Sequence, residues 1–121
     1  MLRILLVEDD PDVAMVVSAL LEDAHYHVTV AANGKEGLDM ALQERPELII
    51  SDFMMPILSG LEMIAKLHEA GYTNPILLCS AIPETQLPTE RPSYGAFLRK
   101  PYSGAELLDA VTRLRKKANM S

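Results

Sequence analysis

Two kinds of hydrophobic pattern alternate along this chain. Ile4-Leu5-Leu6-Val7, Glu47-Leu48-Ile49-Ile50 and Ile76-Leu77-Leu78-Cys79 are continuous or nearly continuous apolar runs. They lack the in-out alternation of half-exposed strands, which is the mark of parallel strands covered on both faces. His27 to Ala31 and Ala96 to Leu98 are weaker strand candidates. Between the runs, apolar residues recur at helical period: Val13, Val16, Val17, Leu20 and Leu21; Leu38, Ala41 and Leu42; Leu61, Ile64, Ala65 and Leu67; and Leu107, Leu108, Val111 and Leu114. The helix starts are marked as well. Asp10 before Pro11 reads as an N-cap with proline at the first helical position. Asn33 with Glu36, Ser59 with Glu62 and Ser103 with Glu106 have capping-box spacing, and Gly71 is placed to end the third helix.

One interval resists this reading. Ala81 to Gly95 carries Pro83, Pro88 and Pro92, and an interior proline removes a helical hydrogen bond and clashes with the preceding turn. At most a short, irregular helix fits, between Glu84 and Glu90. The order β-α-β-α-β-α-β-x-β-α predicts an α/β fold, a doubly wound parallel sheet with right-handed crossovers, with residues 1–121 forming one domain.

Composition narrows the classes. With 121 residues, 49% hydrophobic and 23% charged, the chain is long enough for one buried core and too apolar for a disordered tail. Its 11 basic and 17 acidic residues leave a net charge of -6, which argues against direct nucleic-acid binding through a basic surface. The single cysteine, Cys79, has no internal partner, and the apolar runs are too short to span a membrane. The N-terminal run passes straight into acidic residues without a signal-peptide cleavage pattern. A cytoplasmic setting without membrane association is expected.

In an open α/β sheet, ligands bind beyond the carboxyl ends of the strands. The first strand exits into Glu8-Asp9-Asp10, the third into Ser51-Asp52, the fourth into Ser80 and the fifth into Lys100-Pro101. Each has an ordinary structural role open to it: Asp10 is taken as a helix cap, and a lone Asp, Ser or Lys after a strand is more often a turn residue than a reactive one. Their common edge is what favours chemistry. Clustered carboxylates repel, and a hard divalent cation such as Mg²⁺ relieves this while keeping several waters. His25 and His27, placed in a loop around Tyr26, and the isolated His68 do not form a zinc-ligand set. A carboxylate beside Mg²⁺ and opposite an ammonium is equipped to attack a phosphoryl group. No GxxxxGK[ST] loop is present.

The motifs ILLVEDDP, SDFMMPILSG, Leu-Cys-Ser-Ala and Leu-Arg-Lys-Pro, in this order and spacing, make the chain similar to the CheY-like receiver domains of two-component response regulators. The resemblance implies the flavodoxin-like strand order 2-1-3-4-5. It makes Asp52 the phospho-acceptor, with Mg²⁺ held by Asp9, by Glu8 through water, by Asp52 and by the backbone carbonyl of Met54. Lys100 would pair with the phosphoryl group, and Ser80 would hydrogen-bond it and carry the switch. Phe97 would be the aromatic group that moves inward with Ser80, and Pro56 and Gly60 would shape the loop after the acceptor. The Lys100-Pro101 bond is cis in relatives, and the implied partner is a sensor histidine kinase or a histidine phosphotransfer protein. The implied product is a signalling switch acting on a downstream protein, which promotes its own phosphorylation and dephosphorylation, rather than a turnover enzyme.

Two departures stand out against that family. Pro83 to Pro92 occupies the place of a regular fourth helix. Met54 and Ile82, two residues beyond the acceptor and the switch hydroxyl, are apolar where relatives often have polar side chains. Such groups either restrict the attacking water or merely fill their loops. Arg113, Arg115, Lys116 and Lys117 complement a helix C-terminus or form a docking patch. Two other functions stay open. A phosphatase with Asp52 as nucleophile would need an acid at the position of Met54, and a pseudo-receiver would dock partners without phosphorylation.

Overall fold

The computed structural model describes residues 2–118. Five strands, β1 (Arg3–Val7), β2 (His27–Ala31), β3 (Leu48–Asp52), β4 (Ile76–Ser80) and β5 (Ala96–Arg99), form one parallel sheet in the order β2-β1-β3-β4-β5. Four helices connect or flank them: α1 (Pro11–Asp23), α2 (Gly34–Glu44), α3 (Gly60–Glu69) and α4 (Gly104–Lys117). The expected doubly wound architecture and strand order are both present.

The continuous apolar runs are explained by the two layers they serve. Ile4, Leu6, Leu48, Ile50, Leu77 and Cys79 pack with α1 and α4 residues such as Leu21, Leu107 and Val111. Their alternate neighbours Leu5, Val7, Ile49, Ile76 and Leu78 pack with Met63, Ile64 and Leu67 of α3 on the other face. A polar residue here needs a partner inside the protein, as buried Ser51 of β3 finds by donating its hydroxyl to the Asp52 carbonyl at 3.0 Å.

The capping signals hold with one exception. The Asp10 carboxylate accepts from the amides of Asp12 and Val13, and reciprocal capping boxes close at Ser59–Glu62 and Ser103–Glu106. Asn33 accepts from the Glu36 amide, but the return bond from Glu36 is not formed, so this cap is one-sided. Gly71, at φ +86°, follows the last turn of α3 in the left-handed conformation expected of a helix terminator. His27 opens β2 rather than lying in a loop, since its amide is drawn into the ladder by the Leu2 carbonyl; His25 alone occupies the turn. The third and fourth strands run on through Asp52 and Ser80, because parallel pairing continues at Asp52–Cys79 and Ser80–Arg99.

The proline-rich interval is a strap with a single 3-10 turn at Glu84–Gln86. Its buried anchor is Leu87, inserted into the α3-side core. Among the described residues no helix is long and apolar enough to cross a membrane.

Candidate functional site

Three strands deliver the candidate side chains to one rim because each ends there in register. Glu8 follows β1, with its amide bonded to the Ala31 carbonyl of β2. Asp52 ends the central strand β3, and Lys100 follows β5, with its amide held by the Ser80 carbonyl. Glu8 and Asp52 are 5% and 8% exposed, whereas Asp9 projects into solvent. Carboxylate oxygens of Glu8, Asp9 and Asp52 lie within 4.8 Å of one another. Three carboxylates this close offer the hard oxygen donors that a divalent cation such as Mg²⁺ takes, and Glu8, Asp9 and Asp52 are the residues that would hold it. The Lys100 ammonium reaches Asp52 Oδ1 at 2.8 Å and Glu8 Oε1 at 3.4 Å. The expected convergence of Glu8, Asp9, Asp52 and Lys100 is therefore found.

The charges in this cluster work against one another. Burial, and then the Glu8 carboxylate bonded to it, push Asp52 up to about 7 against the pull of Lys100. Burial also opposes ionisation of Glu8, but bonds from Asp52, from the Asp10 amide and from Lys100 outweigh it and bring Glu8 below its ordinary value. Lys100 stands nearer to Asp52, while Glu8 accepts a backbone N–H bond from Asp10 at 3.1 Å. On Lys100, burial works against the charge and the two carboxylates more than compensate, so its pKa rises. Two buried carboxylates, an exposed third and one ammonium form a site whose donor set suits a hard divalent cation.

Ser80 lies across the rim, 3% exposed, with its Oγ accepting from the Ile82 amide at 3.1 Å. A family model for the response regulator receiver domain matches residues 4–112. The chain belongs to that family. It is 35% identical over 116 residues to the transcriptional regulatory protein DltR of Streptococcus agalactiae, covering 94% of this chain and 51% of that protein. It thus spans about half the length of that relative. Among solved structures, the chemotaxis response regulator CheY4 of Vibrio cholerae is similar at a TM-score of 0.85 and 33% identity, covering 94% of this chain and 98% of that one. The response regulator TrrA of Thermotoga maritima, in complex with Mg(2+)-BeF, is similar at a TM-score of 0.85 and 28% identity, covering 94% and 99%.

Other residues of the receiver fall around this centre. The Met54 side chain is 71% exposed, at the start of the loop that follows Asp52. Phe97 sits on the edge strand β5 opposite Leu78, half-buried against the α3-side core. Ile82 is also half-buried there. Gly60 has a steric duty, since a Cβ on it would stand 2.3 Å from the Asp52 carbonyl oxygen. The Lys100-Pro101 bond is cis. Cys79, inside β4, is buried, and burial followed by the Asp52 charge pushes its thiol up to about 12, so it is held as an inert thiol. In the C-terminal basic group, Arg113 pairs with Asp109, and Arg115 donates to the Tyr26 hydroxyl while lying over its ring.

Three features were missed from sequence. Arg99 Nε donates to the Ala81 carbonyl and clips the chain leaving Ser80. Ile57 adopts φ +74° with its side chain 77% exposed. An apolar groove of about 590 Å³, lined by Val13, Val16, Leu20, Pro101 and Tyr102, runs from Lys100 along α1. The exposed member of the α1 stripe, Val16, was the available signal for the groove; the other two depend on tertiary neighbours.

Proposed function

We propose that residues 1–121 act as one cytoplasmic receiver that accepts a phosphoryl group on Asp52 from a histidine of a sensor kinase or phosphotransfer protein, and passes the change to a downstream protein. The observation that carries this is the juxtaposition of a buried carboxylate at the end of the central strand with two further carboxylates and an ammonium 2.8 Å away. Glu8, Asp9, Asp52 and the Met54 backbone carbonyl would hold Mg²⁺. When bound, the ion neutralises the carboxylates and the equatorial phosphoryl oxygens. An Oδ of Asp52 bonds to phosphorus as the P–N bond to the donor breaks, with the electron pair returning to the imidazole nitrogen. Lys100 stabilises the charge on the transferred group. Ser80 Oγ can donate its proton to a phosphoryl oxygen while still accepting from Ile82, so the strap and Phe97 are the elements biased by phosphorylation.

The donor protein rests on the apolar groove along α1, because a histidine brought to Asp52 must come with a surface that covers the adjoining rim. Incubating the protein with a small phosphodonor and Mg²⁺, followed by intact mass, tests the core of this reading. A single adduct that Asp52→Asn abolishes is expected. Turnover without adduct would favour the phosphatase, and neither adduct nor turnover the docking pseudo-receiver. Val16→Asp should slow transfer from a histidine donor by about tenfold or more, the scale of a lost interface anchor, with the small-donor rate unchanged. Met54→Asn should speed loss of the adduct by placing a polar group beside the attacking water, and an unchanged decay rate would show Met54 to be loop filler.

A further inference from the structure

The loop that follows Asp52 is held from a direction the sequence does not suggest. Its base closes where the Gly60 amide donates to the Phe53 carbonyl at 2.8 Å. Its tip folds back where the Leu58 amide donates to the Pro56 carbonyl at 2.8 Å, a γ-turn centred on Ile57. The positive φ of Ile57 is a strained conformation for a β-branched residue, and such strain persists only where surrounding structure fixes it. The fixing contact comes from the first turn of α2. A Cβ on Gly34 would lie 2.0 Å from the Leu58 carbonyl oxygen, 2.8 Å from its carbon and 2.9 Å from the Leu58 Cβ. The obstacle is backbone, which cannot swing aside as a side-chain end can. Leu58 also packs into the α3-side core, so both its backbone and its side chain are seated.

We propose that Gly34 is a positioning residue for the metal site: the bare first turn of α2 is the seat on which Leu58 rests, and it fixes the path of the chain from Asp52 through Met54. This rests on the reading above, in which the Met54 carbonyl faces Mg²⁺. Gly34 touches neither metal nor phosphoryl group. It acts through the loop, and a side chain there moves the loop as a body.

The test measures Mg²⁺ affinity by calorimetry, and amide exchange of Leu58 and Gly60 in the metal-free protein, alongside thermal stability. Gly34→Ala should weaken Mg²⁺ binding by about tenfold or more, the scale of lost outer-shell support, and speed exchange at both amides. Leu58→Ala, which loosens the seat without forcing a clash, should shift both readouts the same way and carries the test if Gly34→Ala does not fold. Gly95→Ala is the control. Its Cβ would meet Leu114 Cδ2 at 2.7 Å, at the opposite edge of the sheet, so it should cost stability while leaving Mg²⁺ affinity and loop exchange unchanged. Wild-type affinity in both Gly34→Ala and Leu58→Ala overturns the proposal, as does an equal loss in Gly95→Ala. A wild-type protein that binds no Mg²⁺ overturns the metal reading itself, and this proposal with it.

Discussion

The crossovers on either side of β4 do the same topological job with different means. From β3 to β4 the chain passes through α3, a ten-residue helix closed by a reciprocal capping box, with Leu61, Met63, Ile64 and Leu67 buried. From β4 to β5 it passes through the proline-punctuated strap, whose 3-10 turn has no side-chain cap and whose one buried anchor is Leu87. The strap is secured instead by separate clips: Ile82 to Ser80, Arg99 to Ala81, Arg91 to the Pro88 carbonyl and Tyr94 to Glu84. A helix satisfies its own backbone and needs little from its neighbours. A strap depends on a few contacts, one of which is the Ser80 hydroxyl. The contrast shows where the fold is built to hold and where it is built to yield.

The largest test of that contrast is truncation of the two anchors. Leu67→Ala, at a site packed on all sides, should cost about 3–5 kcal/mol in urea unfolding, whereas Leu87→Ala should fall at or below about 2 kcal/mol because the strap can settle into the space. Equal losses would show the strap to be as tightly packed as α3. Next comes the charge beneath both crossovers. Because Asp52 is raised from 3.8 to about 7 in the folded chain, the native state holds more protons than the unfolded one between those values. Metal-free stability should therefore fall as pH rises from about 4 to about 7. Asp52→Asn removes that slope and should stabilise the metal-free protein above pH 7 by on the order of 4 kcal/mol, a gain that vanishes below pH 4. Ser59→Ala, which opens the α3 capping box, should cost about 1 kcal/mol, read from the same unfolding curves. Tyr94→Phe removes an exposed clip and should cost less than about 1 kcal/mol. Its larger consequence should be faster amide exchange between Pro83 and Tyr94.

What could be read from sequence follows from this difference. Strands β1, β3 and β4 were legible because burial on both faces demands unbroken apolar runs. α3 and α4 were legible because Ser59–Glu62 and Ser103–Glu106 are local devices. The clustering of Glu8, Asp9, Asp52 and Lys100 followed from topology, since each leaves a strand at the same edge. Their roles came from family resemblance rather than from spacing. The reach of β3 and β4 through Asp52 and Ser80 was underestimated, because ladder pairing with distant strands, not hydrophobicity, sets those ends. The open half of the Asn33 cap and the Gly34 seat were not legible either. Both depend on how α2 meets other parts of the fold, and Gly34 meets a carbonyl 24 residues away in sequence.

Asp52 stands in the middle strand, flanked by β1 and β4. A phosphoryl group on Asp52, as proposed above, would sit at the end of a strand held by ladders on both sides. Under the proposed function, the displacement would pass through Ser80 to the strap it is bonded to at Ile82. With Asp52 as the proposed acceptor, an event at the interior strand would thus become movement at the periphery, within reach of another molecule.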